Sequence, residues 1–155
     1  MTTLTIRPAT HEDLPTLLRF EQGIIEAERH FDASNSDGII HYYKLAEMLT
    51  SEDVHVVVAE EQGNIIGCGY ARIEDAEPYK KLSLHSYIGF LYLEPEHRGK
   101  GVIQSILQHL KEWSVARGVL ELILEVYLEN DAAVRAYQKF GFEKKMILMR
   151  LSLDE

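Results

Sequence analysis

Several features are scarce in this sequence, and each shortage excludes a class of protein. There is one cysteine, Cys68, so no intrachain disulfide can form, and a reducing compartment such as the cytoplasm is expected. No apolar run reaches the length of a membrane span, and the start "MTTLTIRPAT" lacks the basic flank and apolar core of a signal peptide. We therefore expect a cytoplasmic protein with no membrane partner.

Positive charge is also scarce, since 16 basic residues face 25 acidic ones and the formal net charge is −9. Counterion release rewards a basic surface, so we predict no nucleic-acid partner. The acidic excess is compatible with a cationic substrate such as an amine, but it is more typical of an ordinary soluble surface. The histidines form no pair or His/Cys cluster at ligand spacing, so no metal site is predicted.

What is present fits one domain spanning residues 1–155, because 46% of the residues are hydrophobic and no linker or repeat divides the chain. Apolar periodicity predicts the order β-α-α-β-β-β-α-β-α-β. The predicted strands lie at 3–7, 54–61, 65–73, 82–93, 119–128 and 143–153, and the predicted helices near 14–25, 39–49, 102–116 and 131–140. Strand 82–93, helix 102–116 and strand 119–128 form a crossover that requires parallel strands, whereas the short turns favour antiparallel pairing elsewhere. The fold class is therefore a mixed sheet covered by helices, α/β or α+β.

The stretch "EHRGKGVIQSIL", residues 96–107, joins a strand end to a helix N-terminus through a glycine-rich turn. Free amide groups and the helix dipole favour an anion there, and glycine lets the backbone come close to it. Arg98 and Lys100 add positive charge, so a pyrophosphate is the anion that fits best. The alternative is a plain turn that uses Gly99 and Gly101 only to reverse the chain.

Two nucleotide-binding motifs are excluded at this turn. A Walker A loop needs Gly-Lys-Ser/Thr, but Lys100 is followed by Gly101 and Val102. The dinucleotide fingerprint G-x-G-x-x-G needs a third glycine where Gln104 stands. An ATP- or NAD-binding module is thus not supported.

In its context, "YLEPEHRGKGVIQSIL" closely resembles the acetyl-CoA-binding motif Q/R-x-x-G-x-G/A of the GNAT N-acetyltransferase family. The downstream "LEVYLENDAAVRAYQKFGF" resembles the second family signature, and "IRPATHEDLPTL" resembles the usual family start, so the resemblance covers essentially the whole chain. One position departs from the pattern. Ile103 stands where the motif has Gly or Ala, and a branched side chain there is expected to crowd the approach to the pyrophosphate or pantetheine.

The resemblance implies a GNAT-like fold, a mixed and mostly antiparallel sheet whose central parallel strands, 82–93 and 119–128, splay apart, with helices on both faces. It implies acetyl-CoA as the acyl donor, with its pantetheine arm between the splayed strands, a small-molecule or peptide amine as acceptor, and a homodimer. The donor-binding residues that it implies are Leu91, Tyr92, Leu93, Arg98, Gly99, Lys100, Gly101, Val102, Ile103, Asn130 and Tyr137.

The resemblance also implies catalytic roles. Tyr137 is the expected general acid for the thiolate, and Glu125, in the "LEV" of an otherwise apolar strand, is the expected base, acting directly or through water. Each has a plain structural alternative: Tyr137 as a core aromatic, and Glu125 as an outward-facing strand residue. Acceptor contacts are expected from the first two helices, residues 12–50, from the loop after strand 65–73, and from fallback residues on the 82–93 strand. The side chains concerned are Glu21, Glu26, Glu28, Asp32, Tyr42, Tyr43, His85, Tyr87 and Tyr92. For each residue of the helices, a solvated helix face is the favoured alternative. A non-catalytic acyl-CoA-binding regulatory domain remains the alternative function.

Overall fold

The computed structural model describes residues 3–154. Its elements in chain order are β1 (Leu4–Pro8), α1 (Leu14–Phe31), α2 (Leu45–Met48), β2 (Val54–Glu61), β3 (Asn64–Asp75), β4 (Leu84–Leu93), α3 (Val102–Ala116), β5 (Leu122–Ile123) and α4 (Asp131–Phe140). Single 3₁₀ turns at His11–Asp13 and Pro95–His97 precede α1 and α3.

The strands form one sheet in the order β1-β2-β3-β4-β5. The first four are antiparallel neighbours, and β5 pairs parallel with β4 as the predicted crossover requires. The β2–β3 hairpin turns at Gln62 and Gly63, whose φ angles of 53° and 77° match the twist of the flanking strands. The mixed, mostly antiparallel fold class is confirmed.

Helices cover both faces of this sheet because side chains alternate along each strand. On β2, Val57 and Ala59 belong to the buried cluster that contains residues of α3, whereas Val56 and Val58 belong to the cluster that contains residues of α1 and α2. The sheet therefore forms the middle layer of three. None of the helices found within residues 3–154 has the length and apolar composition needed to cross a bilayer.

The helix predicted for 39–49 is shorter than expected, since only Leu45–Met48 is helical. The carboxylate of Glu21, on α1, accepts hydrogen bonds from the backbone amides of Tyr42 and Tyr43, both at 2.9 Å. These amides are therefore bound to a side chain on another element, which holds the preceding segment as a loop. Apolar periodicity carries no information about that long-range bond.

The strand predicted for 143–153 is not formed. Residues 143–154 all lie within the described part of the chain, join no ladder and are exposed. The strand predicted for 119–128 is reduced to Leu122 and Ile123. No further strand of the described residues pairs with β5, so the parallel pair lies at an edge of the sheet instead of its centre. The physical reason is that a strand persists only where a neighbour pairs with its backbone, and a sequence pattern does not supply the neighbour.

Candidate functional site

The parallel pair separates soon after it forms. β4 and β5 are in register only at Ser86↔Leu122 and Tyr87↔Ile123, although β4 continues to Leu93. The buried hydroxyls of Ser86 and Ser114, 2.7 Å apart, tie the paired end to α3. Beyond it, the described residues pair β4 with β3 alone, so one side of its backbone is open to an extended ligand that adds as a strand.

A β-bulge lies in this open half of β4. The β3 register shifts between Cys68 and Tyr70, so that Phe90 and Leu91 together oppose Gly69. Phe90 has a φ of +53°, a left-handed conformation that is costly for a bulky residue. Its ring is buried against Tyr43, 4.7 Å between ring centroids, which explains how the conformation is held. The bulge turns backbone groups near Leu91 out of the regular ladder, as bulges beside active sites do.

The glycine turn lies directly beyond the end of β4. The Arg98 Nε donates to the carbonyl of Leu93 at 3.0 Å, which fixes the cation beside the strand end. Gly99 and Gly101 have φ angles of +79° and +81°, and Gly101 is the N-cap of α3. Because glycine has no capping side chain and the first turn carries no acidic residue, the helix amides and dipole remain available to an anion. The residues present here fit a pyrophosphate.

Ile103 belongs partly to the core. It is half-buried and packs against the cluster that contains Val102 and Ile106. The aliphatic side chain therefore contributes to the packing of α3 on the sheet, a role for a branched residue that the motif pattern does not reveal.

Asn130 and Tyr137 lie on the capped helix that the sequence predicts. The Asn130 Oδ1 accepts from the Ala133 amide at 3.3 Å and so caps α4. Tyr137 is half-buried against the α3-side cluster, and burial, together with the nearby charge of Glu28, raises the pKa of its hydroxyl to about 12. Among residues 3–154 this hydroxyl has no hydrogen-bond partner, so a protonated donor is available at neutral pH.

Glu125 is exposed and lines an open cleft of about 560 Å³ beside the splayed strands. The Tyr87 hydroxyl donates to its Oε1 at 2.9 Å, which orients the carboxylate. We call this the tyrosine cleft; its lining residues are Tyr42, Tyr43, Tyr70, Arg72, Glu74, Asp75, Glu77, His85, Tyr87, Ile123 and Glu125. The expected acceptor contacts Tyr42, Tyr43, His85 and Tyr87 are thus brought together with the expected base.

Not every charge in the tyrosine cleft is free to meet a substrate. Glu74 accepts from Arg72 at 2.8 Å and from His85 at 2.9 Å. Burial by itself would raise the pKa of the Glu74 carboxyl, but the hydrogen bonds from His85 and Arg72 outweigh burial and hold that pKa below its usual range. The Arg72 guanidinium lies over the rings of Tyr70 and Tyr87, 5.6 and 5.3 Å from their centroids, so an internal cation already uses those faces.

Four acidic residues of α1 and its C-terminal end were expected to contact the acceptor, and three of them have internal partners. Glu21 is fully buried in its bonds to the 41–43 loop, Glu26 pairs with Arg29, and Asp32 pairs with Arg150. Tyr92 is half-buried, and its ring packs on Phe20 with centroids 4.6 Å apart.

Glu28 is the residue whose role sequence reasoning underestimated. It is half-buried; burial raises its pKa, a hydrogen bond from Tyr42 opposes the rise, and nearby Asp32 adds to it. Its charge acts on Tyr42, Tyr43, Tyr127 and Tyr137, so it links the tyrosine cleft to the proposed acid. Only its position on α1 facing these tyrosines reveals this. Among the described residues 3–154, no group of three or more His, Cys, Asp or Glu side chains is placed to hold a metal ion.

Residues 20–142 match the model of the Acetyltransferase (GNAT) family, which is well over half of the chain. Among curated proteins, the chain is 27% identical over 145 residues to N-alpha-acetyltransferase 30 of Saccharomyces cerevisiae, covering 91% of this chain and 81% of that protein. It is 26% identical over 157 residues to an uncharacterized N-acetyltransferase of Methanocaldococcus jannaschii, of which it spans only 63%.

Among solved structures, a predicted acetyltransferase of Clostridium acetobutylicum, crystallised with acetyl-CoA, superposes with a TM-score of 0.70 at 22% identity. The alignment covers 97% of each chain. At this identity the likeness shows the fold.

Proposed function

The chain belongs to the GNAT acetyltransferase family, and we propose that it transfers an acetyl group from acetyl-CoA directly to a primary amine. The observation that carries the proposal is that three features lie along β4: the tyrosine cleft at its paired end around Tyr87, the bulge at Phe90 in its half-open part, and the glycine turn ending at Gly101 beyond its last residue. The expected acceptor site, strand opening and donor site thus follow one another along one strand.

The donor would be held mainly by backbone. Amides around Gly99, Gly101 and Val102, with the cations of Arg98 and Lys100, suit the pyrophosphate, and the open side of β4 from Leu91 to Leu93 suits the pantetheine arm. Acetyl-CoA supplies an activated thioester carbonyl. Backbone groups turned outward by the bulge would polarise that carbonyl. Ile103, packed on the core beneath the turn, would limit how deeply the donor enters.

Tyr137 would supply the proton for the leaving thiolate. Its raised pKa keeps the hydroxyl protonated across the neutral range, and within the described chain no other group competes for that proton. Asn130, which caps the same helix, would fix the position from which Tyr137 approaches. Positioned acids of this kind contribute about 10²–10⁴ in rate.

Glu125 would take the proton from the amine, directly or through water, while the Tyr87 hydroxyl holds its carboxylate in place. Glu28 is a second candidate base, because its partly buried carboxyl has a raised pKa and faces both the cleft tyrosines and Tyr137. Paired variants Glu125→Gln and Glu28→Gln distinguish them. The variant that replaces the true base should have a lower kcat and lose the acid limb of the pH–rate profile. The other variant should change KM alone.

The acceptor would be a small-molecule or peptide amine. Acidic side chains outnumber cations around the tyrosine cleft, which favours an ammonium group. The name of the yeast relative denotes transfer to an α-amine, and this supports testing peptide N-termini first. We propose further that residues 1–155 form one acetyltransferase domain, that the protein is cytoplasmic, as its single buried cysteine favours, and that it is a homodimer.

The first test is calorimetric titration with acetyl-CoA, with ATP and NAD as controls, followed by an amine panel. We expect acetyl-CoA alone to bind, and absence of binding would overturn the function. Tyr137→Phe should retain the Kd for acetyl-CoA but lose about 10²–10⁴ in kcat. Tyr79→Phe, at an exposed loop residue, is the matched control and should change neither. Binding without turnover on any amine would instead favour the non-catalytic acyl-CoA-binding domain.

A further inference from the structure

Arg72 lines the tyrosine cleft with hydrogen-bond donors that are only partly used. It lies on β3, directly opposite Tyr87 of β4, and its side chain is 40% exposed. Its Nε donates to the Oε2 of Glu74 at 2.8 Å. Burial raises the pKa of Tyr70, and the charge and a hydrogen bond of Arg72 oppose that rise, so a second N–H group faces the Tyr70 hydroxyl. A guanidinium has five N–H groups, and the other three have no acceptor among residues 3–154.

The neighbours of Arg72 hold its guanidinium in one orientation. Glu74 accepts from Arg72 through one oxygen and from the Nε2 of His85, at 2.9 Å, through the other, so both carboxylate oxygens are occupied. The guanidinium also lies over the rings of Tyr70 and Tyr87. These contacts are made before any ligand enters, so a partner that binds the terminal nitrogens need not pay for ordering the side chain.

Gly89 makes room for this arrangement. It lies opposite Tyr70 on the next strand, and a Cβ at this position would come within 2.6 Å of the Tyr70 hydroxyl oxygen. A side chain at position 89 would therefore displace the Tyr70 ring from beneath Arg72.

The guanidinium and the expected base are placed around the same tyrosine. The Arg72 Cζ is 5.3 Å from the centre of the Tyr87 ring, and the Tyr87 hydroxyl donates to the Glu125 Oε1 at 2.9 Å. The guanidinium carbon and that carboxylate oxygen are consequently at most about 11 Å apart, a distance that about three extended residues span. One acceptor can thus place an ammonium group at Glu125 and an anionic group at Arg72.

We propose that the acceptor carries a carboxylate as well as its amine, that the terminal nitrogens of Arg72 bind this carboxylate, and that Glu74 positions Arg72. The inference rests on the proposed function, because it names the acceptor class of the same site. A planar carboxylate matches the guanidinium fork. Asp75, Glu77 and Glu125 also line the cleft, so they repel an anion that has no amine. The acceptor class is therefore an amino acid, or a peptide with an acidic residue within three positions of its free amine.

Matched acceptors measure this preference. Each pair differs by one carboxylate: peptides with glutamate or glutamine at the second or third position, and a free amino acid with its amide, rates being compared per deprotonated amine. We expect the acidic member to have the higher kcat/KM by about 10- to 100-fold, mainly through KM. The pair with the largest ratio identifies the source of the carboxylate. Equal kcat/KM within every pair, or a preference for the amide, overturns the proposal.

Variants assign the preference to Arg72. Arg72→Gln should abolish it, whereas Arg72→Lys keeps the charge without the fork and should retain a small part. General damage to the cleft lowers activity on both members of a pair, so the ratio separates damage from a lost carboxylate contact. Arg117→Gln removes the same charge at the end of α3, where Arg117 lies over Trp113, and as the matched control should leave the ratio unchanged. An Arg72→Gln chain that keeps the ratio of the unmodified chain refutes the role of Arg72.

Failure of this inference is distinguishable from failure of the proposed function. Turnover with no preference for acidic acceptors keeps the transferase function and overturns the inference. If no amine is acetylated, the transferase function fails, and calorimetric titration of the same peptide pairs in excess CoA still tests Arg72. The acidic peptide should then bind about 10-fold or more tightly than its amide partner to the unmodified chain, and equally to Arg72→Gln. Equal binding of both peptides to the unmodified chain overturns the inference.

Discussion

Removing the buried carboxylate of Glu21 should destabilise the protein and disorder one wall of the tyrosine cleft. Glu21 is fully buried, and its two oxygens accept from the His41 Nδ1 at 2.8 Å and from the amides of Tyr42 and Tyr43 at 2.9 Å. These bonds hold the loop from which both tyrosines enter the cleft. Glu21→Ala and Glu21→Gln separate the volume of the side chain from its charge.

The magnitudes follow from the three bonds. A hydrogen bond to a charged group contributes about 1.5–3 kcal/mol to stability, and a buried donor that is left without an acceptor destabilises the folded state by the full cost of its desolvation. Glu21→Ala leaves two backbone donors without this acceptor, and we expect a loss of about 3–5 kcal/mol in the free energy of unfolding. In Glu21→Gln the amide oxygen can still accept from both backbone groups while the amide nitrogen donates to the other tautomer of His41, so a loss of about 1 kcal/mol is expected.

Urea unfolding and thermal melts measure these losses, and a loss of 3–5 kcal/mol corresponds to roughly 10 °C in Tm for a chain of this size. The KM for the acceptor should rise in Glu21→Gln while the Kd for acetyl-CoA stays unchanged, because the glycine turn lies on another part of the structure. Equal stability of the two variants, or a loss below about 1 kcal/mol for Glu21→Ala, would refute the reasoning that these bonds hold the loop.

Two further predictions concern the glycine turn and acid stability. Gly101→Ala places a side chain at φ +81° and should cost about 1–2 kcal/mol while weakening acetyl-CoA binding; Gly63→Ala, at φ +77° in the β2–β3 turn, should cost the same without affecting binding. Burial, followed by the charges of His109 and Arg117, lowers the pKa of His55 to about 4. Between pH 6.5 and 4 the unfolded state therefore binds a proton that the folded state does not, and the free energy of unfolding decreases as the pH is lowered through that window. His55→Gln should flatten this slope in chemical unfolding measured from pH 7 to 4; an unchanged slope would assign it to the carboxylates.

Most regular elements could be predicted from the sequence because their signals are local. The helix predicted for 102–116 is observed as Val102–Ala116, with its start marked by Gly101 and its apolar face by Ile106 and Leu110. The β2–β3 hairpin follows likewise from apolar runs around a Gln-Gly turn. In these elements, local propensity and tertiary packing favour the same conformation.

The elements that differ are those in which a distant partner decides the conformation. Tyr42 and Tyr43 have the pattern of a helix, but their amides bind a carboxylate 21 and 22 residues away in the chain. The segment 143–153 has the composition of a strand, but the described chain offers it no paired edge.

The site itself depends on where regular structure stops, and this limits what any motif can reveal. Residues named from motifs, such as Arg98, Gly101 and Tyr137, occupy the turn and the helix where the resemblance puts them. The opening that we propose for the donor, however, results from the loss of β4–β5 pairing after Tyr87 and from the left-handed backbone of Phe90, which a buried contact with Tyr43 stabilises. Tyr43 in turn is held by Glu21, on the first helix. The proposed donor opening and the proposed acceptor cleft therefore share one support, so we expect a change at Glu21 to be detected first in acceptor binding, and only on larger disruption in the binding of acetyl-CoA.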